Sequence, residues 1–193
     1  NIADILRGLY KPHEYGKVIL PMTVIKRLHD TLLPTRDDVL AVSKSVTNIK
    51  VTQIRDRKLT DASGYTFYNT SRFTFENLLS DPENIYDNFN SFLNSFSENV
   101  RNILDNFEFD TEISKMANYD ALFAVIQEFN SKKAYLGADT VTSTDMGYIF
   151  EELVRRFSES YGEDAGAHFT SRDIIYLMTD ILLINEKPSD KPI

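Results

Sequence analysis

The residues best suited to chemistry form one run, Gly166-Ala167-His168-Phe169-Thr170-Ser171-Arg172. An apolar-striped helical pattern ends just before it and a second one starts inside it. A hydroxyl from Thr170 or Ser171 therefore stands at a helix start, with Asp173 in the first turn. Two readings fit. Thr170 can cap the helix, Asp173 three residues on partly mimicking a capping box. Alternatively, the free hydroxyl and the first backbone N–H groups bind a carboxylate or another anion, because the start of a helix carries partial positive charge. A cofactor with a carboxylate suits the second reading.

Other chemistries find no support. The histidines are His13, His29 and His168, and none sits near a serine in a nucleophile-elbow context. There is no H-E-x-x-H, and Glu151-Glu152 reads as a solvated pair, so no metal site is expected. Neither a Walker loop nor G-x-G-x-x-G is present. The chain has no Cys, which removes disulfides, thiolate ligands and thiol nucleophiles and fits a reducing compartment. No catalytic residue is assigned.

The elements that must position this run read as helices. With 193 residues, 42% of them hydrophobic, the chain can hold one fair-sized domain, or one domain plus a fragment. Seven Gly and six Pro are too few for a turn-rich β fold. Residues 3–10 predict a short helix. Residues 14–33 predict a longer one, striped by Tyr15, Val18, Ile19, Met22, Ile25, Leu28 and Leu32, which Pro21 should kink or split. Pro34 ends it and Thr35 is placed to cap the next, with Asp37 and Asp38 in its first turn. Residues 37–58 carry no clear period. Residues 59–74 read as an aromatic loop packed on the helices, and Thr74 as the cap of a helix from Phe75 to Leu79. Residues 84–107 predict six unbroken turns, and 120–130, 145–160 and a final stretch from Ile174 to Leu182 repeat the pattern. The expectation is an all-α bundle of six to eight helices. It divides into a helical domain over 1–160 and a loop and helix over 161–193. No run approaches a membrane span, and no signal-peptide core leads the chain.

Net charge is −8, unevenly placed. Residues 1–60 hold eleven Lys or Arg against six Asp or Glu, and residues 61–193 hold ten against twenty-three. A basic end of this kind marks either a nucleic-acid-facing surface or a solvated helical face.

Three blocks resemble the modification subunit of type I restriction-modification systems. The first is Ala3-Asp4-Ile5-Leu6-Arg7-Gly8 with Tyr15-Gly16-Lys17-Val18-Ile19-Leu20-Pro21-Met22-Thr23 and Lys26-Arg27-Leu28. The second is Tyr68-Asn69-Thr70-Ser71-Arg72-Phe73-Thr74-Phe75, similar to the family's aromatic-Asn-x-Ser segment. The third runs from Met146-Gly147-Tyr148-Ile149-Phe150-Glu151 to the 166–172 run and resembles a helix followed by G-x-x-F-T-P-R. Ser171 stands where the family has Pro, which would pre-set the backbone of the first turn.

The resemblance implies a cytoplasmic enzyme that methylates the exocyclic amine of adenine in DNA with S-adenosyl-L-methionine. It implies that this helical region precedes a Rossmann-like methyltransferase domain, truncated here. The family's D-P-x-x-G-x-G loop and N-P-P-F/Y motif are absent, so these residues are not expected to catalyse anything alone. Ala167, His168, Phe169, Thr170, Ser171 and Arg172 match the segment that touches the cofactor, Thr170 near its methionine end. The target base must leave the duplex to be methylated. The implied partners are DNA, a specificity subunit, a second modification subunit and a restriction subunit. Lys11, Lys17, Lys26, Arg27 and Lys44 become candidates for phosphate contact. A noncatalytic helical interaction module is the alternative from another class.

Overall fold

A computed structural model describes residues 1–161, 170 and 172–184. Among them, eleven α-helices and four short 3-10 turns follow one another without a strand; the all-α expectation holds, and the helices are shorter and more numerous than the six to eight expected.

α1 (Ile2–Leu6) starts on Asn1, whose side chain accepts from the Ala3 N–H. A turn at Gly8 (φ 91°) and a 3-10 turn, Pro12–Glu14, lead into α2. α2 (Gly16–Leu32) is the spine of the bundle. It runs through Pro21 as one helix instead of splitting. The missing backbone bond costs about 3 kcal/mol, and burial of Val18, Met22, Ile25 and Leu32 on one stripe offsets it.

A 3-10 turn, Leu33–Thr35, bends the chain into α3 (Arg36–Ser45), which pairs with α4 (Thr52–Ser63). Thr35 precedes α3, but its hydroxyl donates to the Ser63 carbonyl (3.0 Å) instead of capping, so it ties α3 to the end of α4. The unassigned 37–58 stretch is thus most of a helical hairpin. It has its own small core, Val39, Val46, Leu59 and Tyr68, and Tyr68 Oη donates to Asp56 (2.6 Å). Gly64 (φ 72°) ends α4 in the left-handed region, so the aromatic loop begins five residues later than its sequence pattern predicts.

α5 (Phe75–Leu79) starts on Thr74, whose hydroxyl accepts from the Asn77 N–H, as expected. The predicted six-turn helix is two helices, α6 (Ile85–Asn94) and α7 (Glu98–Asp105). The break has a definite cause. Ser97 N–H donates to the Tyr68 carbonyl and Thr70 N–H to the Ser95 carbonyl, both at 3.0 Å. Asn69 Nδ2 donates to the Phe92 carbonyl at 3.1 Å. The backbone at 95–97 is thus paired with the 68–70 strip and unavailable to a continuous helix.

α8 (Phe109–Asn118) and α9 (Ala121–Phe129) complete the core. Phe75, Phe89, Phe92 and Phe96 pack ring against ring at its centre, with centroids 5.3–6.2 Å apart. A connector over residues 130–142 leads to α10 (Ser143–Tyr161), which returns to pack on Pro12–Glu14 and α2. There the Phe157 ring lies 3.2 Å from where a Cβ on Gly16 would stand. That close approach is a physical reason for glycine after Tyr15. α11 (Arg172–Leu183) follows.

Candidate functional site

The expected cofactor segment lies at the α10–α11 junction. Ala167, His168, Phe169 and Ser171 lie outside the described residues. Thr170 is exposed. Arg172, the first residue of α11, is turned back onto α10. Its Nε donates to the Glu151 carboxylate, and its guanidinium lies 3.7 Å from the centroid of the Tyr148 ring. A Cβ on Gly147 would come within 3.0 Å of that guanidinium. The Tyr148 hydroxyl in turn engages Tyr176 one turn into α11 and holds the Tyr176 phenol above its ordinary pKa.

The start of α11 is therefore fixed by its own side chains. The rest of the helix is not covered: Leu177 is 60% exposed and Leu182 75%, and Ile175, Met178 and Ile181 are also open.

The expected phosphate contacts divide into two groups. Lys11 and Lys44 are exposed, and so is Lys17, whose Nζ reaches Glu14 at 3.3 Å. Lys26 and Arg27 do not fit that role. Lys26 is 4% exposed. Its Nζ sits 2.7 Å from Asp30 Oδ1 and 5.2 Å from the centroid of the Phe75 ring. Arg27 is half-buried and donates to the Leu136 and Val141 carbonyls at 2.5 and 2.7 Å. Both residues are committed to the fold. The spacing carried the clue: Lys26 stands four residues after Met22 and three before His29, on the buried stripe of α2.

Asp30 organises this interior cluster. It is wholly buried and accepts from Lys26 and His29 at Oδ1 and from the Leu136 N–H (2.8 Å) at Oδ2. Burial alone would raise its pKa, but the bonds from His29, Lys26 and Leu136 outweigh it and hold the carboxyl below its ordinary value. Burial pushes His29 the other way, below its ordinary value, despite the neighbouring carboxylate. Together Asp30 and Arg27 clamp the 130–142 connector to α2, and the connector delivers α10.

Some exposed cations escape a reading by motif. Lys50, Arg57 and Lys58, with Lys44, lie on the α3–α4 hairpin, and none forms an ion pair with a described residue. Arg55 is 4.0 Å from Asp56. Charge along the chain located this basic end, but only burial separates these residues from Lys26. Among the described residues, no three His, Cys, Asp or Glu side chains gather as a metal site, and no helix is long and apolar enough to cross a membrane.

No curated protein and no solved structure matches the chain. A family model does, over residues 1–129, and its description is the HsdM N-terminal domain. That span ends at the last residue of α9 and takes in both the α2 spine and the phenylalanine core. The chain belongs to the HsdM N-terminal domain family and is the N-terminal region of a type I restriction-modification modification subunit.

Proposed function

We propose that this chain is the helical front of an adenine-N6 DNA methyltransferase that draws its methyl group from S-adenosyl-L-methionine. The family match over 1–129 carries that reading. The 193 residues contain neither a D-P-x-x-G-x-G loop nor an N-P-P-F/Y motif, so methyl transfer itself is assigned to other parts of the full-length subunit.

Two roles fall to the chain. Residues 1–160 form a DNA-facing and partner-facing domain, and 161–193 lead into the methyltransferase domain. On the first part, the α3–α4 hairpin with Lys44, Lys50, Arg57 and Lys58, together with Lys11 and Lys17, lies along phosphates. Exposed cations are what that contact needs. The specificity subunit reads the sequence, and a second modification subunit completes the methylating complex. A restriction subunit joins that complex when it cleaves.

At the junction, Ala167, His168, Phe169, Thr170 and Ser171 would hold the cofactor, with Thr170 near its methionine end. Thr170 supports that reading, being exposed and two residues ahead of the start of α11. Arg172 acts through α11. With Nε on Glu151 and its face on Tyr148, it positions the helix start. The uncovered apolar side chains of α11 support a helix that packs against a further unit of the subunit.

The test is methyl transfer by the full-length subunit assembled with its specificity subunit, using a labelled methyl donor and cognate DNA. Label on the adenine exocyclic amine supports the reading. A folded, DNA-bound complex that transfers no label to adenine refutes it.

A further inference from the structure

The interior cluster on α2 also floors a cleft of about 430 Å³, within the size range of small-molecule sites. Two of its three members are fully engaged. Asp30 receives three donors. His29 gives Nδ1 to Asp30 and turns Nε2 to the Phe75 N–H at 3.4 Å. Lys26 differs. Its ammonium has three donors, and the described residues supply one acceptor, Asp30 Oδ1, besides the face of Phe75. A buried ammonium with unfilled donors favours any acceptor brought to it.

The rim is suited to bring one. Asn130, Ser131 and Lys132 line the cleft, and their side chains make no hydrogen bond with the described residues. We propose that this cleft binds a compact acid group, through a carboxylate or phosphate oxygen held by Lys26 Nζ at the floor and by Asn130, Ser131 and Lys132 at the rim. Asp30 at the floor and Glu76 on the same lining limit the charge that enters. Two cations face two carboxylates, so the cleft takes a small acid and rejects a polyanion such as a nucleic-acid backbone. The site is distinct from the α10–α11 junction and does not depend on the methyl donor.

The test uses the isotope-labelled full-length subunit at fixed ionic strength. Acetate and inorganic phosphate are titrated separately, with chloride as control. Magnetic resonance follows the Lys26 ammonium and the Ser131 and Leu136 amides. Saturable shifts at these groups with either acid, absent with chloride, are expected, and the acid that saturates identifies the source. Lys132→Ala should weaken apparent binding about 2- to 5-fold. Lys26→Met, where circular dichroism shows the helices intact, should weaken it at least about 10-fold. Where that variant unfolds, Lys132→Ala and the location of the shifts decide. Linear shifts with both acids, equal shifts with chloride, or saturation mapped to another surface overturn the proposal.

Discussion

Replacing Asp30 by alanine should be among the most damaging single changes in the domain. Asp30 is 0% exposed and satisfies three donors: Lys26 Nζ at 2.7 Å, His29 Nδ1 at 2.8 Å and the Leu136 N–H at 2.8 Å. Asp30→Ala leaves an ammonium buried without its counter-charge and two further donors without acceptors. Removing one partner of a buried ion pair costs about 3–5 kcal/mol. For a domain of ordinary stability, about 5–15 kcal/mol, that is a large share of the whole. Urea unfolding followed by circular dichroism measures it. A second variant separates charge from shape. Lys26→Met with Asp30→Leu removes both charges while keeping apolar volume, and it should recover most of the loss, because apolar replacement of a buried pair is often neutral. Asp30→Ala with a cost below about 1 kcal/mol would refute the assignment of Asp30 as the hub that anchors the connector, because an exposed pair costs no more than that.

Further expectations rest on other contacts. Stability should fall on acidification in two stages. His29 has a lowered folded-state pKa, so its contribution is complete above the unfolded value, about 6.5, and declines as pH drops below it. Asp30 is likewise lowered, so its contribution holds above about 3.9 and is lost as pH falls through its folded value. Unfolding curves from pH 8 down to about pH 2 check both, and His29→Leu should remove the upper stage. Gly16→Ala forces the Phe157 ring to give way, and a loss of about 1 kcal/mol in urea unfolding is expected. Arg172→Ala should free the start of α11: hydrogen exchange should quicken along α11 while α2 and α6 keep their protection. Reversing Lys44, Lys50, Arg57 and Lys58 to Glu in the full-length subunit should weaken DNA binding and flatten its salt dependence. An unchanged slope would assign that surface elsewhere.

The legibility of this fold follows the range of the forces involved. Thr74 and α5 were readable because a cap and its helix are local: hydroxyl, N–H and apolar stripe lie within six residues. The separation of α6 from α7 was not, because Tyr68 and Thr70 hold the intervening backbone from about 25 residues away. α8 follows Glu108, a non-glycine residue at φ 50°, and has no capping side chain that a sequence pattern could point to. Thr35 has the right residue type for a cap, yet its hydroxyl is held by Ser63, a tertiary contact. The same distinction governs the candidate site. Gly147, Tyr148, Glu151 and Arg172 lie in the blocks that carry the family resemblance, and the structure gathers them at one junction. Lys26 and Arg27 belong to those blocks too, but their role depends on burial against Asp30, Leu136 and Val141, which no local pattern contains. Charge along the chain located the basic end. It did not say which cations face water.

Calorimetric titration of S-adenosyl-L-methionine into the full-length subunit, wild type against Thr170→Ala, bears most directly on the proposed role of the α10–α11 junction. Loss of one hydrogen bond to a charged carboxylate predicts affinity weaker by about 10-fold with the stoichiometry unchanged. Equal affinity in the two proteins would contradict the placement of the methyl donor at the start of α11.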